Sequence, residues 1–272
     1  MKNIYESNRK AWNQAILYHK KNRKFDLVEL INKNKILDSI ELSMLDMFDL
    51  SHKSVCQLCC NNGRELISIN KIYNTSHCAG FDISDEAIKD AKKLNDIFDT
   101  KIDFVRCNVF DIDNSYYNKF DYIYITVGSL NWIENLKNFF EIANKLLKET
   151  GVLLIYELYP ITKIFPSLND SNFLKGNGVE IKYDYFDRSI DKYFNGIDYV
   201  GKTQYESSEI CEYKHTLSDI INSIINNHFK IIKFDEYKED ISSVYEHLEK
   251  LNKLPLSYTL IAKKDENYAK KL

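Results

Sequence analysis

Between Ser54 and Glu65 the chain reads SVCQLCCNNGRE, and the order of residue types there suits ligand binding. Val55, Cys56, Leu58 and Cys60 make a short apolar run, as a core strand or a buried piece of helix does. Asn61, Asn62 and Gly63 tolerate left-handed backbone and permit a sharp turn. Glu65, Leu66, Ile67 and Ile69 then begin a helix whose bare amides point back at that turn. A strand, a tight turn and a helix N-terminus make a place where a nucleotide-like ligand lies against backbone N–H groups. Downstream, GFDIS puts Asp82 at the end of a second predicted strand. Its distance from Gly63 fits the roughly 20 residues at which such folds set a carboxylate under a ribose. The plainer reading of Asp82 is a turn aspartate that precedes the Ser84 helix cap.

Other residues could carry proton chemistry. His215, in EYKHT, is of the type that titrates nearest neutral pH and could take a proton from a hydroxyl or an amine. Glu157 and Tyr159 close a predicted strand, where a carboxylate serves either as a base or as a hydrogen-bonded support. Six cysteines raise the question of a metal, centred on Cys56, Cys59 and Cys60. A structural zinc site wants four convergent ligands, and no second Cys/His pair with suitable spacing follows. His77 and Cys78 sit at the start of the next strand, so buried reduced thiols and no metal are expected.

Around these residues the chain alternates helix and strand. Helices are expected at 4–22, with Ala11, Ala15 and Tyr18 or Trp12, Ile16 and His19 at helical spacing, and continuously over 26–49. Strands follow at 54–59, at HCAGFDI ending in Asp82, at IDFVRC, at FDYIYITV and at VLLIYELYP, with helices between them. One of those helices is expected from Trp132 to Leu147. That alternation argues for an α/β fold with a parallel, doubly wound sheet covered on both faces. From 161 to 213 VEIKYDYFD and IDYVGKTQYESSEICEY read as alternating strands of an aromatic-rich antiparallel insertion. A helix at Leu217–Asn226 and two late strands, FKIIKFDEY and LSYTLIAKK, end the pattern.

The 272 residues are 44% hydrophobic, enough for a sizeable core, and carry 37 basic against 40 acidic side chains, a net charge of −3. That balance gives no basic footprint for nucleic acid. No run approaches the ~18 apolar residues of a membrane span, and the start MKNIYESNRKAWNQ has no apolar secretory core, so a cytoplasmic protein without a membrane is expected.

The SVCQLCCNNGRE stretch resembles the cofactor loop of class I S-adenosylmethionine-dependent methyltransferases, in which an acidic residue and a Gly-x-Gly-x-Gly turn follow the first strand. Against that pattern Gln57 stands in the acid's place, Cys59 and Asn61 replace the first two glycines, and Gly63 is the third. It is similar to a subgroup of small-molecule methyltransferases with Cys/Asn-rich loops. The resemblance implies a Rossmann-like, mostly parallel sheet of seven strands with an N-terminal helical lid and an antiparallel insertion. It also implies S-adenosylmethionine held by Gln57, Cys59, Asn61, Asn62, Gly63, Asp82 and Ile83, with Asn108 and Val109 at the adenine, and Thr126 and Gly128 beyond. Ser129, Asn131 and Trp132 would lie near the methyl group. Trp12 and His19, in a segment similar to one that folds over the cofactor, would face the substrate, and His215, Glu157 and Tyr159 would serve catalysis. The implied division is a lid at 1–50, a cofactor-binding core at 51–160, a cap at 161–213 and sheet-completing elements at 214–272.

The expected activity is methyl transfer to a nitrogen, oxygen or sulfur atom of a small organic molecule. No Asn/Asp-Pro-Pro-aromatic signature of nucleic-acid amino methylation occurs. The alternatives are a silent S-adenosylmethionine-binding sensor or partner subunit and a nicotinamide-dependent oxidoreductase. The sequence leaves the acceptor and the oligomeric state open.

Overall fold

The computed structural model describes residues 4–23, 26–168, 170, 173 and 179–265. Its helices are α1 (Ile4–Asn22), α2 (Leu27–Asn32), α3 (Ser39–Leu45), α4 (Arg64–Tyr73), α5 (Asp85–Ile97), α6 (Leu136–Leu146), α7 (Leu217–Asn226) and α8 (Glu246–Glu249). The strands are β1 (Val55–Leu58), β2 (Cys78–Asp82), β3 (Asp103–Arg106), β4 (Phe120–Ile125), β5 (Leu147–Leu158), β6 (Asp191–Tyr193), β7 (Ile210–Glu212), β8 (Phe229–Tyr237) and β9 (Ser257–Lys264). Seven of them form one sheet in the order β3-β2-β1-β4-β5-β9-β8. The first five run parallel, and β9 is antiparallel to both β5 and β8. This is the mostly parallel, seven-stranded α/β sheet expected from the sequence.

Two-residue alternation along β1 explains the covering on both faces. Cys56 and Leu58 enter one core with Phe139 and Phe140 of α6 and Ile220 and Ile224 of α7. Val55 enters the other with Met44 and Leu45 of α3, Leu66 and Ile67 of α4 and Ile88 and Ala91 of α5. β1 pairs with β2 on one side and β4 on the other, so the strand order reverses there. In open α/β sheets the crevice at that reversal, beyond the carboxyl ends of the strands, receives the ligand.

Three expectations need correction. The stretch 26–49 is two short helices, because Asp38 accepts the Ile40 and Glu41 amides at 2.8 Å while Glu41 accepts the Asp38 amide at 2.9 Å. That capping box starts a new helix in mid-stripe. The helix expected from Trp132 begins at Leu136, where Asn135 caps it; Leu130–Trp132 is a 3-10 turn. The insertion contains a separate antiparallel sheet, but VEIKYDYFD forms no strand of it: β6 falls between the two stretches expected and pairs with β7 at the end of the second, each strand three residues long. Elsewhere its side chains compete with ladder formation: Asp184 takes the Phe186 amide, Asp187 the Ser189 amide, and Asp198 the Gly201 and Thr203 amides. Part of the insertion, including residues 174–178, lies outside the described residues.

Candidate active site

A cleft of about 1310 Å³ opens over the carboxyl ends of β1, β2, β4 and β5 and runs beneath α1 and the insertion. It exceeds the roughly 300–1,000 Å³ of a single-ligand pocket, so it has room for a cofactor and an acceptor side by side.

The turn after β1 forms its floor. Cys59, Asn61 and Gly63 have φ of +56°, +50° and +70°, three left-handed residues that reverse the chain before α4 begins at Arg64. At Gly63 a Cβ would come within 2.4 Å of the Phe104 ring, so glycine there is demanded by space as well as by backbone. Asp82 ends β2 beside this turn. One of its oxygens accepts the Asn61 amide and the other the Ser84 amide, both at 2.8 Å, which fixes the carboxylate and leaves lone pairs for the cleft. Burial raises its pKa, and the amides oppose that rise. Gln57 is 1% exposed, lines the cleft, and its Oε1 is buried with no hydrogen-bond partner. A buried acceptor left unpaired costs about 1–3 kcal/mol, so this atom suits a ligand donor such as an ammonium. Orphaned Gln57 and fixed Asp82 fit the amino-acid and ribose parts of S-adenosylmethionine. Asn62 lies buried in the same turn, and its amide is held by the Asn61 side chain at 2.8 Å.

Ile83, Asn108, Val109, Thr126, Gly128, Ser129, Asn131 and Trp132 all line the cleft. Asn108 Oδ1 is turned onto the Phe110 amide at 3.1 Å, so only its second lone pair remains for an adenine amino group. Gly128, φ +78°, has nothing within 4 Å of an added Cβ; its glycine serves the backbone turn, not a close approach.

Glu157, Tyr159 and His215 are brought together, but not in this cleft. They border a small neighbouring cavity of about 30 Å³ behind the loop that follows β4. The Glu157 carboxylate accepts the amides of Gly128, Ser129 at 2.9 Å, Leu130 at 3.3 Å and Leu158 at 3.0 Å. Burial still pushes its pKa up to about 7. Its placement is that of an anchor for the Gly128–Leu130 backbone. His215 Nε2 meets the Ile133 carbonyl at 2.7 Å, and burial lowers its pKa. Tyr159 packs edge-on to Tyr258 at 6.0 Å.

Of the two residues expected in a lid, Trp12 lines the cleft and meets Trp132 edge-on at 5.2 Å. His19 is 1% exposed and outside the cleft lining: its ring meets the Ile197 carbonyl at 2.8 Å and Tyr199 at 4.3 Å, so it ties α1 to the insertion. Asn8 does the same for β7, giving and taking hydrogen bonds with the Cys211 backbone at 2.9 and 2.8 Å. The sequence reading missed the far wall, where Lys163 reaches Glu212 at 3.0 Å and the Tyr193 hydroxyl donates to the same carboxylate. It also missed Asp38 and Glu41, which take the hydroxyls of Tyr156 and Tyr124 along one edge of the cleft. Their only forewarning was the D-x-x-E spacing at 38–41. Among the described residues the six cysteines are unpaired, no group of three or more side chains could hold a metal ion, and no helix is long and apolar enough to cross a membrane.

Solved structures with the same fold include a putative S-adenosylmethionine-dependent methyltransferase from Listeria monocytogenes. It is 18% identical, with a TM-score of 0.62 over 83% of this chain and 97% of the other. A Mesorhizobium loti S-adenosylmethionine-dependent methyltransferase, 15% identical, matches with the same TM-score over 83% and 98%. The geranyl diphosphate C-methyltransferase of Streptomyces coelicolor, solved with S-adenosyl-L-homocysteine, is 11% identical with a TM-score of 0.55 over 82% and 74%. No curated protein matches the chain. The family model described as a methyltransferase domain matches residues 49–192, more than half of the chain and all of β1 to β5. With the left-handed turn and Asp82 inside that span, the chain belongs to the methyltransferase-domain family, enzymes of the S-adenosylmethionine-dependent kind.

Proposed function

We propose that the protein methylates a nitrogen, oxygen or sulfur atom of a small organic molecule that binds between the cofactor floor and the insertion. The observation that carries this reading is the continuity of the cleft. Gln57 and Asp82 line one part, Lys163, Tyr193 and Glu212 another, and Trp12 and Trp132 also line it. When bound, S-adenosylmethionine supplies a methyl on a positively charged sulfur, so the acceptor's lone pair makes the new bond and the C–S pair stays with sulfur. The protein's part is then mainly positioning in a space shielded from water. Gln57 would hold the cofactor's amino-acid end and Asp82 its ribose. Glu157, through the amides of Gly128 to Leu130, would keep the loop beside the reacting groups in one conformation. α1, tied down by Asn8 and His19, would exclude solvent.

The test is incubation of the protein with methyl-labelled S-adenosylmethionine and a small-molecule extract. Label should pass into a low-mass product. Label retained by a cofactor that binds normally would instead identify a silent binding protein.

A further inference from the structure

The described lining of the cleft is unbalanced in charge: ten of its residues are Asp or Glu and four are Lys or Arg. Each of those four cations is already ion-paired. Arg64 meets Glu65 at 2.6 Å, Lys163 meets Glu212 at 3.0 Å, Lys192 meets Glu209 at 3.6 Å, and Lys214 meets Asp187 and Asp191 at 2.7 Å each. Several carboxylates, by contrast, are held by neutral donors. Asp240 accepts the Ser242 amide at 2.9 Å, its hydroxyl at 2.5 Å and the Tyr245 amide at 2.6 Å, and Asp82 accepts two amides. Such bonds orient a carboxylate without cancelling its charge. Burial brings Glu41 up to about 7, which removes part of one charge near neutrality and leaves a clear negative excess. A cleft lined by one sign of charge between low-dielectric walls focuses its field on whatever enters.

A second observation is independent of charge. The same lining is rich in aromatic rings, among them Trp12, Trp132, Tyr183, Tyr193 and Tyr245. The faces of such rings attract cations and are indifferent or repulsive to anions.

We propose that the methyl acceptor is an amine that enters the cleft as its ammonium ion. The inference rests on reading this cleft as the acceptor's site. The ammonium gives up one proton to water to free its lone pair, and after methylation the nitrogen is again positively charged. Acceptor and product therefore both carry the sign of charge the lining favours. A phenolate, carboxylate or phosphate acceptor would bring negative charge and meet no unpaired Lys or Arg in the described lining.

The experiment is calorimetry on the full chain saturated with S-adenosylhomocysteine, using probe pairs that differ mainly in charge: tyramine against 4-hydroxyphenylacetate, and phenethylamine against phenylacetate. Each amine should bind at least about 10-fold more tightly than its acid, within the range that charge-lined clefts give. The gap should shrink at about 1 M salt, where the Debye length is roughly 3 Å. It should also shrink in Glu239→Gln, which neutralises an exposed carboxylate of the lining. An acid that binds as tightly as its amine, or no binding by either member of both pairs, overturns the proposal. Failure to bind S-adenosylhomocysteine in the first titration would instead strike at the cofactor site itself.

Discussion

Gln57 is where this chain departs furthest from the loop it resembles, and its surroundings give that departure a physical meaning. A neutral amide can wait buried and unpaired at modest cost; a carboxylate in the same place would be an unpaired buried charge until a cation arrived. Gln57→Glu is therefore expected to lower the melting temperature of the ligand-free protein while cofactor affinity stays level or rises. Gln57→Leu, which removes the acceptor, should weaken cofactor binding by about 1–3 kcal/mol, roughly 5- to 150-fold. Calorimetry with a melting curve for each variant checks both; a large loss of affinity in Gln57→Glu would mean that this side chain does not face the ammonium. Gln57, Gly63 and Asp82 were legible because their signal is local: a strand, a turn and a spacing of about 20 residues. Glu157 and His215 were legible as chemistry-bearing residues but not in their orientation. Whether a carboxylate at a strand end faces the ligand or a neighbouring loop depends on the path of that loop, which the sequence does not write beside it. Glu212, Lys163 and Tyr193 gave no signal, since their partnership exists only once the insertion has folded back.

At the scale of elements, α1 is joined to the insertion and to α5 by many side-chain hydrogen bonds, and Asn8 supplies two of those to β7. Asn8→Ala would leave the Cys211 amide and carbonyl without these partners. The expected cost is on the order of 1–3 kcal/mol, local to α1 and β7. Hydrogen exchange should report it: amides of α1 should lose about 5-fold or more in protection while those of β1 to β5 keep theirs. Unchanged exchange in α1 would show that its remaining bonds and packing hold it without Asn8. The parallel sheet itself was readable from alternating helical and strand periods, because buried parallel strands are continuous apolar runs. The break between α2 and α3 was not read, since the apolar stripe of 26–49 continues in phase across the Asp38 capping box. The insertion was over-read as long strands: Tyr and Ile favour strands, but the Asp side chains nearby bind their own backbone instead.

For the molecule as a whole, burial of acids predicts how stability changes with pH. Glu41 and Glu157 are both pushed up to about 7 in the folded protein, above the usual carboxylate value. Between about pH 4.5 and 7 the unfolded chain then holds fewer protons at these groups, so their contribution to stability falls as pH rises and is level above that window. His19 and His215 are shifted down by burial and act oppositely: stability from them is lost as pH falls below the ordinary histidine range. The clean measurement is therefore a difference between proteins. Glu41→Gln should gain stability relative to the parent as pH is raised from 5 to 8, by on the order of 1–3 kcal/mol. Melting curves across that range check it, and a constant difference would mean that Glu41 ionises normally.

Asp82 joins the turn after β1 to the end of β2, where the cofactor is proposed to bind. Removing its carboxylate in Asp82→Ala should cost about 1.5–3 kcal/mol of cofactor binding, the range for hydrogen bonds to a charged group, or roughly 10- to 150-fold in Kd. Asp82→Asn should lose less, because its amide oxygen still accepts one hydroxyl. The measurement is a calorimetric titration of S-adenosylhomocysteine into the parent and both variants, each first confirmed as folded by its melting curve. A graded loss from parent to Asn to Ala is the predicted result; an Asp82→Ala protein that is folded and binds with unchanged affinity would contradict the placement of the ribose and the reading of the cleft built on it.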